Sequence, residues 1–132
     1  MLSDRRQIEE LARGYTEAWC SHDAARVAAY YIPSGTIAIN GGEPAGIAEV
    51  ANSFITAFPD IEVLMDDLRF EDDVAEYHWT FKGTSAETGR PVHISGFEEW
   101  TIGADGLIAS SRGKYDQVEY ERQIRGGAGP AG

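Results

Sequence analysis

The spacing of the apolar residues changes from a helical period to a strand period near the middle of the chain. In the first half they recur every three or four residues, as at Ile8, Ala12, Tyr15 and Trp19. That spacing places them on one face of an amphipathic helix. Residues 61–115 instead show the alternation, and the β-branched and aromatic content, of strands. A chain of this kind buries its apolar residues by packing helices on a sheet.

The predicted elements are mostly helical at first and mostly extended afterwards. The "CSHD" stretch ends the first helix, and a short second helix is predicted over residues 24–31. A short strand over residues 36–40 leads to a third helix, which ends before Pro59 because proline disfavours helical geometry in the residue before it. Four strands and a last helix are predicted at residues 61–70, 73–83, 90–102, 106–115 and 117–124. This order predicts an α+β fold, with helices on one face of a strongly curved, mainly antiparallel sheet.

The length and composition predict one domain. A chain of 132 residues is long enough to bury one core, and no linker divides it. We assign residues 1–124 to a single domain and residues 125–132, rich in glycine and proline, to a flexible tail. The single cysteine excludes an internal disulfide and a cysteine-based metal cluster.

The charge and hydropathy argue against two classes of partner. The formal net charge is −11, which repels both phosphate backbones and anionic lipid, so we expect neither nucleic-acid nor membrane binding. No stretch approaches the roughly 18 apolar residues of a transmembrane helix. The first residues are charged and lack the apolar core of a secretory signal, so a cytoplasmic location is expected.

Several short motifs together resemble one family. They are "AFPD" at 57–60, "GT" at 83–84 followed by "TGR" at 88–90, "DGLI" at 105–108, an aspartate at 116 and "QI" at 123–124. Their order and spacing resemble the SnoaL-like polyketide cyclases of the NTF2-like superfamily. The likeness covers roughly residues 8–124. It departs from the family at Ser85, where the cyclases carry a histidine.

The resemblance implies a fold, a site and an assembly. The fold would be an NTF2-like cone with a deep apolar pocket, in a homodimer formed through the outer face of the sheet. Asp116 would be the general acid/base of an intramolecular ring closure that needs no metal or cofactor.

From the residues themselves, Asp116 has two interpretations. A carboxyl group in an apolar pocket can protonate a carbonyl oxygen and also take a carbon-bound proton. However, "DQVE" places Asp116 three residues before Glu119, which is the capping-box pattern of a helix start. Both roles stay open at this point.

His78 is the second candidate catalytic residue. A plain meander sets His78 opposite Ser95 or Gly96, and Asp116 opposite Ile94 or Ser95. Both would then lie on one row, about 9.6 Å apart across two strands. We predict that His78 polarises or orients a substrate if it shares the face of Asp116. A register slip of one residue would place the two on opposite faces, and a structural role for the histidine is the alternative.

The candidate substrate-binding residues are mostly aromatic. They are Tyr15, Trp19, Asn40, Trp79, His93, Phe97, Trp100 and Lys114. Core packing is the alternative for the aromatic members, and turn formation is the alternative for Asn40. Lys114 and the nearby Arg112 could bind an anionic substrate or form cross-strand pairs with Glu98 or Glu99.

These features predict a cofactor-independent enzyme, cyclase- or isomerase-like, that acts on a small apolar or polycyclic carbonyl compound. A metal site is not expected, because the three histidines lack the spacing of metal ligands. The alternative is a non-catalytic ligand-binding or dimerisation domain with the same fold.

Overall fold

The computed structural model describes residues 5–71 and 74–125. The helices are α1 (Arg5–Cys20), α2 (Ala24–Ala28), α3 (Ile47–Ala57) and α4 (Gln117–Arg125). The strands are β1 (Tyr31–Ile39), β2 (Ala45–Gly46), β3 (Glu62–Glu71), β4 (Val74–Thr84), β5 (Pro91–Ile102) and β6 (Ile108–Tyr115). No helix within these two stretches is long and apolar enough to cross a membrane. The predicted tail lies outside the described residues, apart from its first residue.

The strands form one six-stranded sheet in the order β2-β1-β6-β5-β4-β3. Neighbouring strands are antiparallel, except that β1 runs parallel to β6. The sheet is curved and open, and the helices pack on it. The predicted α+β architecture, with its consecutive antiparallel strands, is therefore confirmed.

The predicted boundary between α2 and β1 was wrong. Residues 29–31 were predicted as helix, but α2 ends at Ala28 and Tyr31 starts β1. Tyr31 is buried and pairs with Ile108 of β6, so sheet pairing outweighs the local helical pattern. The two-residue strand β2 was not predicted, because so short a segment has no detectable period.

The register of the β4–β5 hairpin differs by one or two residues from the two pairings predicted for His78. Thr84 pairs with Pro91, which sets His78 opposite Phe97 rather than Ser95 or Gly96. Strand β6 ends at Tyr115, so Asp116 follows the strand instead of belonging to it. The predicted row that joins His78 to Asp116 is not formed.

An aromatic cluster fills one end of the core. Helix α1 buries one face against the sheet, including Tyr15. The ring of Trp100 stacks on Tyr77 with centroids 4.9 Å apart, and Tyr15 meets Trp100 edge-on at 5.3 Å. Because protein interiors are close-packed, the size of these rings sets the distance between α1 and the sheet.

The outer face of the sheet is predominantly polar. Thr80 of β4 donates a hydrogen bond to Asp66 (2.6 Å) and lies 2.8 Å from the hydroxyl oxygen of Ser95 on β5. The homodimer that the sequence assigns to this face stays a prediction.

Candidate functional site

A cavity opens between the concave face of the sheet and the helices. It contains about 610 Å³ of space, counting its open mouth. Its lining is almost entirely apolar and draws on α1, α3, α4 and five strands or their ends: Trp19, Ile37, Ile39, Val50, Phe54, Ile61, Val63, Tyr77, Trp79, Phe81, Ile94, Glu98, Gly113, Tyr115 and Tyr120. A single carboxyl group, that of Glu98, lies among these residues.

The alternation of side chains along each strand and the register between strands determine which residues surround the Glu98 carboxyl group. Side chains on a strand point alternately to the two faces of the sheet. Tyr77 pairs with Glu98, and Glu98 pairs with Gly113, so Glu98 stands between a ring and a glycine. Because Gly113 has no side chain, the cavity reaches the flank of Glu98. A Cβ added at Gly113 would lie 3.7 Å from Glu98 Cγ.

Glu98 is buried and held by neutral donors. Only 6% of the residue is exposed. Its Oε1 accepts hydrogen bonds from Trp100 Nε1 (2.8 Å), Ser111 Oγ (3.1 Å) and the Tyr15 hydroxyl (3.1 Å). Its Oε2 lies 3.2 Å from the same Tyr15 hydroxyl, which can donate to either oxygen. The Tyr31 hydroxyl is a further hydrogen-bond donor to the carboxyl group.

The surroundings of Glu98 change the acidities of this cluster. Burial raises the pKa of the Glu98 carboxyl, although hydrogen bonds from Trp100, Ser111, Tyr15 and Tyr31 oppose the shift. Burial and the Glu98 charge also raise the pKa of Tyr15 and of Tyr31 well above the usual tyrosine range. Both phenols therefore remain protonated, and their hydroxyl oxygens lie 3.3 Å apart. Perturbed carboxyl groups in cavities are candidates for acid/base chemistry.

Four of the predicted site residues belong to this region. Trp19 and Trp79 line the cavity. Tyr15 and Trp100 do not line it, but they are buried and bind Glu98 directly. The sequence therefore placed these aromatic residues correctly in the interior.

Four other predicted residues lie on the opposite side of the sheet. His78, His93, Phe97 and Lys114 alternate with residues of the concave face and are absent from the cavity lining. His78 stacks on Phe97 with centroids 5.3 Å apart, and its Nε2 lies 3.2 Å from Glu76 Oε1. The prediction that His78 shares a pocket with Asp116 is not supported by this geometry.

Asn40 and Asp116 adopt local structural roles at the ends of strands. Asn40 has a positive φ of 51° in a turn, and its Oδ1 accepts a hydrogen bond from the Tyr115 amide at 2.9 Å. Asp116 is exposed, lies outside the cavity lining, and its Oδ1 accepts from the amide of Glu119 at 3.0 Å. The geometry supports the helix cap and places the Asp116 carboxyl outside the apolar cavity.

The cap predicts the effects of two substitutions at Asp116. Asp116→Ala should lower the free energy of unfolding by about 1 kcal/mol, because α4 loses its side-chain cap. Asp116→Asn keeps a capping oxygen and should cost only a few tenths of that. Urea unfolding of both variants measures the difference. If Asp116 were instead an acid/base catalyst, Asp116→Asn would be as inactive as Asp116→Ala despite its intact stability.

Glu98 is the residue that sequence reasoning missed. The sequence offered Glu98 or Glu99 as a surface partner of Arg112, and the structure gives that partnership to Glu99, at 3.2 Å. The missed signal is the alternation on β5. Val92, Ile94 and Trp100 are buried at even positions, and Glu98 has the same parity. A carboxyl group at an inward position of an apolar strand is unusual enough to mark a site.

Potential metal ligands are not concentrated in this part of the molecule. Within residues 5–71 and 74–125, no group of three or more His, Cys, Asp or Glu side chains is arranged to hold a metal ion. The polar atoms that the cluster presents are the carboxyl of Glu98 and the hydroxyl and indole groups around it.

Helices packed on a curved, open sheet, around an apolar cavity that holds one buried carboxyl group, define a class of small α+β domains. The SnoaL-like domain family matches residues 12–111 of this chain. The chain belongs to the SnoaL-like domain family. The resemblance found in the sequence motifs is therefore confirmed.

Solved structures share the fold at low sequence identity. TsrD from Streptomyces laurentii superposes with a TM-score of 0.79 and 22% identity, over 92% of this chain and 96% of that one. A protein from Jannaschia sp. CCS1 assigned as a SnoaL-like polyketide cyclase gives 0.78 and 18%, over 94% of both chains. SalBIII, an epoxide hydrolase/cyclase-like enzyme of pyran ring formation in salinomycin, gives 0.77 and 18%, over 90% and 97%. No sequence among the curated proteins matches this chain. At these identities the likeness establishes the NTF2-like fold alone.

Proposed function

We propose that this protein is a cofactor-independent enzyme that acts on a small, apolar carbonyl compound, with Glu98 as its acid/base group. One observation carries the proposal: among the described residues, Glu98 supplies the one carboxyl group on the wall of the apolar cavity, and that group is buried. The proposal moves the acid/base role from Asp116, where the resemblance implies it, to Glu98.

The chemistry follows from the raised pKa of Glu98. A carboxyl group whose pKa is raised holds its proton to higher pH, and it can donate that proton to a carbonyl oxygen and so favour enolisation. In its ionised form the same group can take a proton from carbon. Tyr15, Trp100 and Ser111 hold Oε1 in place, so the carboxyl group loses little side-chain entropy when it reacts. Cyclase- and isomerase-like reactions both need this pair of steps.

The activities given for two proteins of similar fold support this class of reaction. The protein from Jannaschia is assigned as a polyketide cyclase, and SalBIII is an epoxide hydrolase/cyclase-like enzyme. An apolar wall with one polar group suits a substrate that is mostly hydrocarbon with one oxygen near its reacting carbon.

The rival function is a non-catalytic ligand-binding domain. In that case Glu98 would serve only to organise the core, and its bonds to Tyr15, Trp100 and Ser111 would favour this role. The rival predicts ligand binding without chemistry.

A pair of adjacent glutamates gives a matched test. We expect the wild-type protein to accelerate the exchange of the protons next to the carbonyl of 1-tetralone, a bicyclic ketone, in D2O. Glu98→Gln should lower that rate by about 100-fold or more. Glu99→Gln removes the same charge one residue away, on the outer face, and should leave the rate unchanged. NMR spectroscopy measures the exchange.

The possible outcomes separate the two functions. Equal exchange rates for Glu98→Gln and the wild type would remove Glu98 from the reaction. Binding of 1-tetralone to the wild type without any acceleration of exchange would favour the ligand-binding domain.

A further inference from the structure

The buried carboxyl of Glu98 faces only neutral donors. Its partners are the hydroxyl groups of Tyr15, Tyr31 and Ser111 and the indole N–H of Trp100. None of the ion pairs among the described residues involves Glu98. No lysine, arginine or histidine from the described part of the chain lines the cavity. When Glu98 ionises, its charge is stabilised by hydrogen bonds but not neutralised, and a counter-ion would be strongly favoured.

The wall of the cavity also suits a positive charge. Trp19, Tyr77 and Trp79 bring aromatic rings to it, and the negative faces of such rings attract cations. The net charge of −11 adds a long-range potential of the same sign, which draws cations toward the protein and repels anions. The cavity therefore offers apolar contact together with an unmatched negative group.

We infer that this cavity selects its ligands by charge and binds apolar molecules that carry a protonated amine more tightly than neutral molecules of the same shape. The ammonium N–H donates to the Glu98 carboxylate, and the hydrocarbon part packs against the aromatic wall. This inference rests on the cavity and the residue of the proposed function, but it requires no turnover. An amine of this class acts as a competitive inhibitor of the proposed reaction.

Two probes of equal shape test the inference. N,N-dimethylbenzylamine is protonated at neutral pH, and isobutylbenzene replaces its nitrogen by CH. We expect the wild-type protein to bind the amine about tenfold or more tightly than the hydrocarbon, as measured by ligand-observed NMR. Glu98→Gln should bind the two probes with about equal affinity.

Glu99→Gln is the matched control for the effect of the protein's net charge. It changes the net charge by the same amount as Glu98→Gln, but its side chain pairs with Arg112 on the outer face. A preference that depends on Glu98 itself survives in Glu99→Gln. A preference lost equally in both variants reports the overall charge and overturns the inference.

The pH dependence tests the inference in the wild type, without any variant. The groups that face Glu98 from the packed elements are Tyr15 of α1, Tyr31 of β1 and Tyr77 of β4, and the pKa of each is raised, above all by burial. The three phenols keep their protons at neutral pH, whereas the raised pKa of Glu98 moves the ionisation of this carboxyl group to higher pH than is usual for a glutamate. The preference for the amine should therefore increase as the pH rises above the usual glutamate pKa of 4.5, because the carboxylate forms there.

Three further results would overturn the inference. Equal affinity for the two probes in the wild type would remove charge selection, while Glu98-dependent proton exchange would keep the proposed function intact. A preference that does not change with pH would exclude Glu98 as the counter-ion, even if Glu98→Gln failed to fold. Failure of both probes and of 1-tetralone to bind would remove the cavity as a ligand site and the proposed function with it.

Discussion

Replacing Gly96 by alanine is expected to lower the free energy of unfolding by about 2–3 kcal/mol, the upper part of the usual range for overpacking. Gly96 pairs with Trp79 on one side and Tyr115 on the other. A Cβ at this position would lie 2.3 Å from the carbonyl oxygen of Lys114 and 2.8 Å from Cζ2 of Trp79. The carbonyl oxygen is part of the backbone of β6, so it cannot rotate away as a side chain would.

Gly113 provides the matched control, because it is a second glycine on the same face, one strand away. A Cβ there would meet nothing closer than Ile39 Cδ1 at 3.4 Å, which is an ordinary contact. Gly113→Ala should therefore change the free energy of unfolding by less than about 1 kcal/mol. It should nevertheless weaken binding of the 1-tetralone probe, because it fills space beside Glu98.

Urea unfolding measures both variants at constant m-value. A midpoint for Gly96→Ala equal to that of Gly113→Ala would contradict the close approach of Trp79 to β5. That contact brings Trp79 and Tyr115 together over the glycine, with ring centroids 6.1 Å apart, and so shapes the cavity wall.

The sequence predicted the fold well because its main signals are local. The helical spacing of Ile8, Ala12 and Tyr15 and the alternation of β4 and β5 report each element independently of the others. The parallel pairing of β1 with β6 depends on a contact between distant segments, and no period within β1 encodes it. For the same reason Tyr31 was assigned to a helix, although its burial against β6 decides its conformation.

The site was predicted less well, because a site depends on register. Whether a strand residue faces the cavity or the outer surface changes with a shift of one position. The resemblance implied a catalytic role for Asp116. The geometry supports the other interpretation, in which Asp116 caps the helix that contains Glu119. Glu98 and Glu99 are chemically identical in the sequence, yet one lines the cavity and the other pairs with Arg112. Counting parity from buried Trp100 separates them.

The stability of the protein is expected to decrease through the ionisation of Glu98 as the pH rises above 4.5, the usual pKa of a glutamate. Burial raises the pKa of this carboxyl group in the folded state above its value in the unfolded chain. The folded state therefore binds this proton more tightly than the unfolded state does. The resulting stabilisation is fully present below the unfolded pKa and is lost as the pH rises through the folded pKa.

Glu98→Gln isolates this contribution, because glutamine stays neutral at every pH. Each unit by which folding raises a pKa corresponds to about 1.4 kcal/mol of stability lost on ionisation. Relative to the wild type, Glu98→Gln should therefore gain stability as the pH rises, and its advantage should be greatest at the highest pH of the series, where Glu98 is ionised. The other titrating groups are shared by the two proteins and cancel in the difference.

Urea unfolding of the wild type, Glu98→Gln and Glu99→Gln across this pH range measures the effect. Glu99 lies on the outer face beside Arg112, so Glu99→Gln should follow the wild-type curve. Parallel curves for the wild type and Glu98→Gln would mean that folding does not alter the acidity of Glu98. The proposed acid would then lack the raised pKa that lets a carboxyl group hold its proton to higher pH, and the catalytic role of Glu98 would lose its physical basis.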